Sequence, residues 1–297
     1  TNISEIKAFE YRDGEKCPCE GELKYRGYNI RDLISGSMNE RFTFEEGAYL
    51  LLFGELPTRE ELDEIQAVFA KLMTFPTNFT RDVIMKAPSS DIMSSMTRSI
   101  LTLGSYDEQK DNIEISNVLR QCMQLIATFP LMAAYGYHAY NHYEKDQSMY
   151  IHRPSSELSS AEKFLRVLRP DMKFTELEAR ALDVALLLHM EHGGGNNSTF
   201  TTRVVTSTGS DTYSVIAAAM SSLKGRKHGG ANLMVMNMMD DIKAHVKDFA
   251  DEEEIAAYLS KILNKQAFDR QGLIYGMGHA VYSLSDPREQ VFKGFVE

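Results

Sequence analysis

Three of the eight histidines, His192, His228 and His279, lie in glycine-rich segments where side chains stay open to a ligand. These segments are residues 189–196 (HMEHGGGN), 224–232 (KGRKHGGAN) and 276–280 (GMGHA). Glycine has no Cβ, so neighbouring backbone amides and imidazoles are accessible. Three such segments within about ninety residues favour one active site built from several loops over three unrelated turns.

The middle segment also supplies positive charge for an anionic ligand. The net charge is −10, so the long-range field of the protein repels anions, and we expect no nucleic-acid partner. Lys224, Arg226 and Lys227 nevertheless surround His228, just before a predicted helix whose N-terminal amides are also electropositive. The sequence therefore predicts a local anion-binding pocket.

Imidazoles combined with an arginine suit the stabilisation of negative charge on oxygen. A zinc-protease helix needs histidines four residues apart, whereas His189 and His192 are three apart, so no metal is predicted and a metal hydrolase remains the weaker alternative. Nucleophile-elbow, phosphate-loop and dinucleotide fingerprints are missing. The remaining use is hydrogen-bond donation to a carbonyl that becomes negative, with arginine holding a carboxylate. Carbon–carbon bond formation through an enolate would use such a site.

The elements that must position these residues are mostly helices. Turn signals at residues 13–14 and 20–21 predict small strands or hairpins in residues 6–26. After residue 29, apolar residues recur three and four apart, as in amphipathic helices. The predicted helices cover residues 44–52, 62–72, 90–103, 113–142, 160–168, 175–190, 211–223, 231–247 and 251–264. Ser159 and Glu162 have the spacing of a capping box.

Cysteine usage and hydropathy indicate the compartment. Cys17, Cys19 and Cys122 cannot all pair, and three cysteines in 297 residues are no disulfide framework, so we expect a cytoplasmic protein. The first ten residues carry charges and no apolar run, which predicts no signal peptide. No stretch reaches the roughly 20 apolar residues that cross a bilayer, so we expect no membrane insertion.

The three segments, together with Asp286-Pro287-Arg288, resemble the signature segments of the citrate synthase family in order and approximate spacing. A weaker likeness extends to residues 21–28 and 161–165. The resemblance implies an all-α, two-domain multi-helical fold with small N-terminal β-hairpin elements. It places a large domain, with the dimer and oxaloacetate surfaces, at 1–227 and a partial small domain, on the acyl-CoA side, at 228–297.

The resemblance also implies a role for each site residue. His228 would hydrogen-bond the thioester oxygen of acetyl-CoA and stabilise its enol or enolate, and His279 would polarise the ketone of oxaloacetate. Arg288 would bind an oxaloacetate carboxylate, with His192 and Asn196 helping to hold the same substrate. The residues expected along the acyl-CoA channel are Leu273, Ile274, Gly276 and Gly278. The implied partners are oxaloacetate, acyl-CoA and a second copy of the chain, and no cofactor is expected beyond acetyl-CoA as substrate.

Two alternatives and one departure accompany the resemblance. The related enzyme 2-methylcitrate synthase uses propionyl-CoA, and one methylene changes selectivity by only about 1 to 3 kcal/mol. A non-catalytic homologue or assembly subunit would use helices such as residues 113–142 to dimerise. Family members carry a catalytic aspartate beyond the Asp-Pro-Arg segment, whereas this sequence ends nine residues after Arg288. We therefore expect a C-terminally incomplete chain with little turnover alone.

Overall fold

The computed structural model describes residues 3–37, 41–225, 228–279 and 281–294. The chain divides into two compact units, Thr1–Ser221 with Val281–Glu297, and Ser222–Ala280. These units differ from the predicted domains 1–227 and 228–297 in two segments, because residues 222–227 belong to the second unit and the C-terminal segment belongs to the first. The C-terminal helix, Pro287–Lys293, packs against the N-terminal sheet and the helix Glu176–Leu188.

The first unit opens with an antiparallel sheet of three strands, β1 (Ser4–Arg12), β2 (Glu15–Tyr25) and β3 (Tyr28–Asn29), in the order β1-β2-β3. The predicted turn at Asp13-Gly14 is confirmed, and both residues have positive φ. The predicted turn at residues 20–21 is wrong, because these residues lie inside β2. Gly21 instead permits a close approach, since a Cβ there would lie 2.7 Å from the ring of Tyr282.

The prediction of a mainly helical fold with small N-terminal strands is confirmed. The helices are α1 (Ile30–Ser35), α2 (Thr43–Phe53), α3 (Arg59–Leu72), α4 (Ile92–Gly104), α5 (Ile115–Lys145), α6 (Ser160–Leu168), α7 (Glu176–Leu188), α8 (Asn197–Thr206), α9 (Thr212–Leu223), α10 (Ala231–His245), α11 (Glu252–Leu263) and α12 (Pro287–Lys293). A π-helical turn covers Thr80–Ile84. Within the described ranges, no helix is both long and apolar enough to cross a membrane.

The helix boundaries follow local capping chemistry. Ser159 and Glu162 form the predicted capping box at the start of α6, with the Ser159 side chain accepting from Glu162 N. Equivalent capping boxes begin α3 and α7. Asp251 caps α11, whose first turn is acidic, as the helix dipole favours.

Apolar residues form separate clusters in the two units. The main cluster of the first unit lies among α3, α4 and α5 and includes Phe69, Ile100 and Met132. A second cluster joins the sheet to α7 through Leu23, Tyr25 and neighbouring residues of that helix. The second unit has its own small cluster between α10 and α11. The sheet therefore packs directly on the helix that leads to His192.

Candidate active site

The loop that follows α7 is held in place by the N-terminal strands. Ser4 Oγ donates to Glu191 Oε1 at 3.0 Å and accepts from Gly193 N, also at 3.0 Å. The buried Tyr25 hydroxyl donates to the carbonyl oxygen of Leu187 at 3.0 Å and accepts from Glu191 N at 3.4 Å. Gly193 has a φ of 71°, a left-handed conformation that glycine adopts without strain. Residues far apart in the sequence thus determine the path of this glycine loop.

His192 lies in this loop, half-buried against Tyr282. Its Nε2 atom is 3.3 Å from the Tyr282 hydroxyl, and the two rings meet edge to face with centroids 5.5 Å apart. Tyr282 is only 5% exposed, and burial raises its pKa to about 12. The phenol therefore keeps its proton at neutral pH. This tyrosine was missed from the sequence, where its only sign is its place between the His279 segment and Asp-Pro-Arg.

Arg288 lies at the start of α12 in a fork with Asp286. Its Nε atom is 3.0 Å from Asp286 Oδ1, and Nη2 is 2.6 Å from Oδ2. Asp286 also accepts from Arg288 N at 2.9 Å as the N-cap of α12. Burial, followed by the negative charge of Asp286, raises the pKa of Tyr282, and the positive charge of Arg288 acts to lower it. In the first unit, His192 thus contacts the buried Tyr282, and Arg288 is close enough to influence the pKa of the same phenol.

Asn196 lies at the end of the same loop and caps α8. Its Oδ1 atom accepts from Thr199 N and from Ser198 Oγ, each at 2.8 Å. This capping bond explains why a helix begins at Asn197. A contact between Asn196 and the substrate stays a prediction.

His228 belongs to the second unit, in the turn that precedes α10. It is half-buried, and its backbone N–H donates to Gly225 O at 2.9 Å. Gly229 N donates to Leu223 O at 2.7 Å, and a Cβ at Gly229 would overlap the Leu223 backbone. Glycine is therefore required beside this histidine. The adjacent Arg226 and Lys227, part of the predicted anion pocket, lie outside the described residues.

His279 and the predicted acyl-CoA residues also belong to the second unit. His279 is exposed and follows Gly278, whose φ is 86°. Gly276 has the same φ and lies against Val235 of α10, where a Cβ would come within 3.2 Å of a methyl carbon. Leu273 is 55% exposed, while Ile274 packs on the apolar cluster of α10 and α11. This segment offers apolar side chains and glycine backbone, and its contact with acyl-CoA stays a prediction.

The predicted site residues therefore fall into two sets, with His192, Asn196 and Arg288 in the first unit and the others in the second. Among the described residues there is no group of three His, Cys, Asp or Glu side chains that could hold a metal ion. All three cysteines are unpaired.

Comparison with known proteins identifies the family. A family model described as "Citrate synthase, C-terminal domain" matches residues 1–297. The chain belongs to the citrate synthase family. It is 31% identical over 298 residues to a citrate synthase of Corynebacterium glutamicum, covering 99% of this chain and 62% of that protein. It is 33% identical over 276 residues to a 2-methylcitrate synthase of Shewanella oneidensis, covering 93% of this chain and 66% of that protein. The chain thus spans slightly less than two thirds of these relatives.

Solved structures show the same fold. Citrate synthase from Pyrobaculum aerophilum matches with a TM-score of 0.77 at 31% identity, covering 99% of this chain and 67% of that structure. Citrate synthase from Thermoplasma acidophilum, solved as a ternary complex, matches with a TM-score of 0.78 at 26% identity, covering 99% of this chain and 68% of that structure. That second structure contains carboxymethyl coenzyme A and oxaloacetate.

Proposed function

We propose that this chain carries the substrate-binding and polarising residues of a citrate synthase, which condenses acetyl-CoA with oxaloacetate to give citrate and CoA. The observation that carries the proposal is the contact of His192 with the buried Tyr282, a phenol whose pKa Arg288 also influences, in a member of this family. A related structure that holds oxaloacetate together with a coenzyme A analogue supports the same substrates.

The first unit would hold oxaloacetate. Arg288 would bind a carboxylate through its guanidinium, which Asp286 orients in a fork. His192 would donate a hydrogen bond to the same substrate, with its ring positioned by Tyr282. A cation that is already oriented binds an anion with less loss of conformational entropy than a mobile one.

The second unit would act on the acyl group and the ketone. His228 would donate to the thioester oxygen as the α-carbon loses its proton to a base, and His279 would donate to the ketone oxygen of oxaloacetate. The new bond joins the α-carbon to the ketone carbon, whose oxygen becomes a hydroxyl, and water then cleaves the thioester to release CoA. Donors placed where charge develops stabilise the transition state more than the ground state.

Propionyl-CoA is the second candidate substrate, because one of the relatives is a 2-methylcitrate synthase at 33% identity. The assay is thiol release by the complete gene product, with oxaloacetate and either acetyl-CoA or propionyl-CoA. The larger kcat/KM identifies the acyl group. Oxaloacetate binding without thiol release from either thioester would favour the non-catalytic homologue.

A homodimer and a cytoplasmic location stay predictions, and sedimentation velocity tests the dimer.

Substrate binding is tested on the 297-residue chain by titration calorimetry with oxaloacetate. Arg288→Gln should weaken binding at least about tenfold, because a charge-assisted hydrogen bond contributes about 1.5 to 3 kcal/mol. The control is Arg59→Gln, which removes an exposed arginine of α3 paired with Asp63. Equal affinity in wild type and Arg288→Gln would contradict the assignment of Arg288.

A further inference from the structure

The first unit contains a cavity that the proposed reaction does not use. Its volume is about 680 Å³, and it lies between residues 73–81, helix α5 and the loop of residues 151–156. Sites for small molecules typically have volumes of about 300 to 1,000 Å³. None of the described residues that line it belongs to the candidate active site. The cavity therefore needs a separate explanation.

The charged side chains that line this cavity have the opposite sign to the net charge of the protein. Among the described lining residues, the charged side chains are Arg81, Arg153 and Lys163, all cationic, in a chain with a net charge of −10. Arg81 forms an exposed ion pair with Asp82, with Nε 2.7 Å from Oδ1. Arg153 and Lys163 form no ion pair with any described residue. Two cations that form no ion pair with a described residue thus line the same cavity.

Lys163 is the stronger of the two observations, because it is only 2% exposed. It lies on α6, and its ammonium group has no hydrogen-bond partner in the described part of the chain. Removing an ammonium group from water costs free energy, and nearby acids that make no hydrogen bond to it offset this cost only in part. Burial lowers the pKa of Lys163, against the opposing effect of Glu45, Glu162 and Glu157. An anion in the cavity would supply a hydrogen-bonded partner.

Glu45 is the acid that most affects Lys163, but it makes its contact elsewhere. Its Oε1 atom accepts from Ser160 N at 2.7 Å, and no ion pair with Lys163 is formed. The two groups belong to different helices, α2 and α6. Glu45 therefore offsets part of the cost of burying the ammonium without occupying its hydrogen-bond donors.

The walls beside these cations are aromatic. Phe75 stacks on Phe79 with ring centroids 5.0 Å apart, and its centroid lies 6.4 Å from that of Tyr135. Tyr135 is 4% exposed, and its hydroxyl donates to His152 O at 2.7 Å, which fixes the ring. A ligand that fills this cavity would therefore meet a fixed apolar surface in the cavity that Lys163 also lines.

We propose that this cavity binds a small organic anion, with its anionic group held by Lys163 and Arg153 and its apolar body packed against Phe75 and Tyr135. We expect tight binding to require both the anionic group and the apolar body in one molecule. Inorganic phosphate lacks the apolar body, and a neutral aromatic alcohol lacks the charge. This proposal does not depend on the condensation reaction, and it is tested by ligand binding to the cavity alone.

The experiment is titration calorimetry of the 297-residue chain with benzoate and phenyl phosphate, and with inorganic phosphate and benzyl alcohol as half-ligands. We expect saturable binding of at least one aromatic anion and binding at least about tenfold weaker for both half-ligands. Lys163→Met keeps the unbranched apolar stem of the side chain and removes its charge, and should weaken that binding at least about tenfold. Lys173→Met, at an exposed lysine outside the cavity, should leave it unchanged.

Two further variants separate the alternatives. Arg288→Gln should not change the affinity for the aromatic anion, and a loss there would place the anion in the candidate active site and overturn the proposal. Arg153→Gln alters an exposed side chain, so it decides the matter if Lys163→Met does not fold. The proposal would also be overturned if no aromatic anion bound up to millimolar concentrations. It would be overturned equally if the affinity were the same in wild type, Lys163→Met and Arg153→Gln. Lys163 would then serve only as a buried counter-charge for Glu45.

Discussion

Glu45 is buried in a way that predicts a pH-dependent cost to stability. Its side chain is 1% exposed, and Oε2 has no hydrogen-bond partner in the described structure. Burial, followed by the negative charge of Asp183, raises the pKa of Glu45 from 4.5 to about 7. Hydrogen bonds from Ser160 oppose this rise but do not cancel it. The folded protein therefore holds a proton that the unfolded chain releases.

The sign and size of the effect follow from this difference in pKa. Between about pH 4.5 and pH 7 the folded state binds more protons than the unfolded state, so the free energy of unfolding falls as pH rises through this window. A pKa that rises from 4.5 to about 7 corresponds to about 3 kcal/mol, reached above pH 7. Below pH 4.5 the cost disappears, because the carboxyl is protonated in both states.

The perturbation is Glu45→Gln, which keeps an acceptor for Ser160 N and cannot ionise. It also removes a negative charge from the N-terminal end of α6, where a charge contributes up to about 1 kcal/mol. The net expectation is an increase of about 2 kcal/mol in the free energy of unfolding at pH 8, with little change near pH 4.5. The control is Glu144→Gln, at an exposed position in the last turn of α5.

The assay is urea unfolding at pH 4.5, 6, 7 and 8, followed by tyrosine fluorescence, since the chain has 14 tyrosines and no tryptophan. The stability difference between variant and wild type should rise with pH, while Glu144→Gln should show no such trend. A difference that is flat across this range, or a variant that is less stable at pH 8, would refute the reasoning. The second result would mean that Lys163 neutralises Glu45 in solution.

Two predictions concern the contacts that position the candidate active site. Gly21→Ala places a Cβ 2.7 Å from the Tyr282 ring and 2.9 Å from Pro287, so we expect a loss of about 1 to 3 kcal/mol in urea unfolding and weaker oxaloacetate binding. Unchanged values of both would show that β2 shifts freely. Ser4→Ala removes the acceptor of Gly193 N, and should weaken oxaloacetate binding severalfold in calorimetry while costing about 1 kcal/mol of stability. Wild-type affinity would show that the loop keeps its shape without Ser4.

The helices were predictable where the sequence carries local start signals and an apolar stripe. Helix α6 matches its predicted bounds because the capping box is a property of residues three apart. Helix α8 was missed, because its sequence is rich in Thr, Ser and Val and none of its residues is buried. The second predicted turn failed for a different reason. Gly21 lies within a strand and makes room for a segment more than 260 residues later in the chain.

The same distinction between local and distant causes applies to the site. Imidazole and guanidinium groups next to glycines can be recognised from residue type alone, because their chemistry is carried by the side chain. The contacts that orient them cannot. Ser4 reaches a loop 189 residues away, and the hydroxyl of Tyr282 reaches His192 across 90 residues. A single serine or tyrosine forms no recognisable sequence pattern. The roles of Ser4 and Tyr282 can therefore be assigned only from the folded structure, in which the sheet packs on α7.

Lys163 is the clearest case of a residue whose surroundings could not be predicted from the sequence. On a nine-residue amphipathic helix, a lysine is usually a solvated residue, and only the packing of α6 reveals that this one is buried. Charge and burial together then point to a ligand, which neither the residue type nor its spacing could do. If an aromatic anion binds there, the fold accounts for the buried ammonium; if none does, Glu45 must account for it, and the pH dependence of the Glu45→Gln variant will show the pairing.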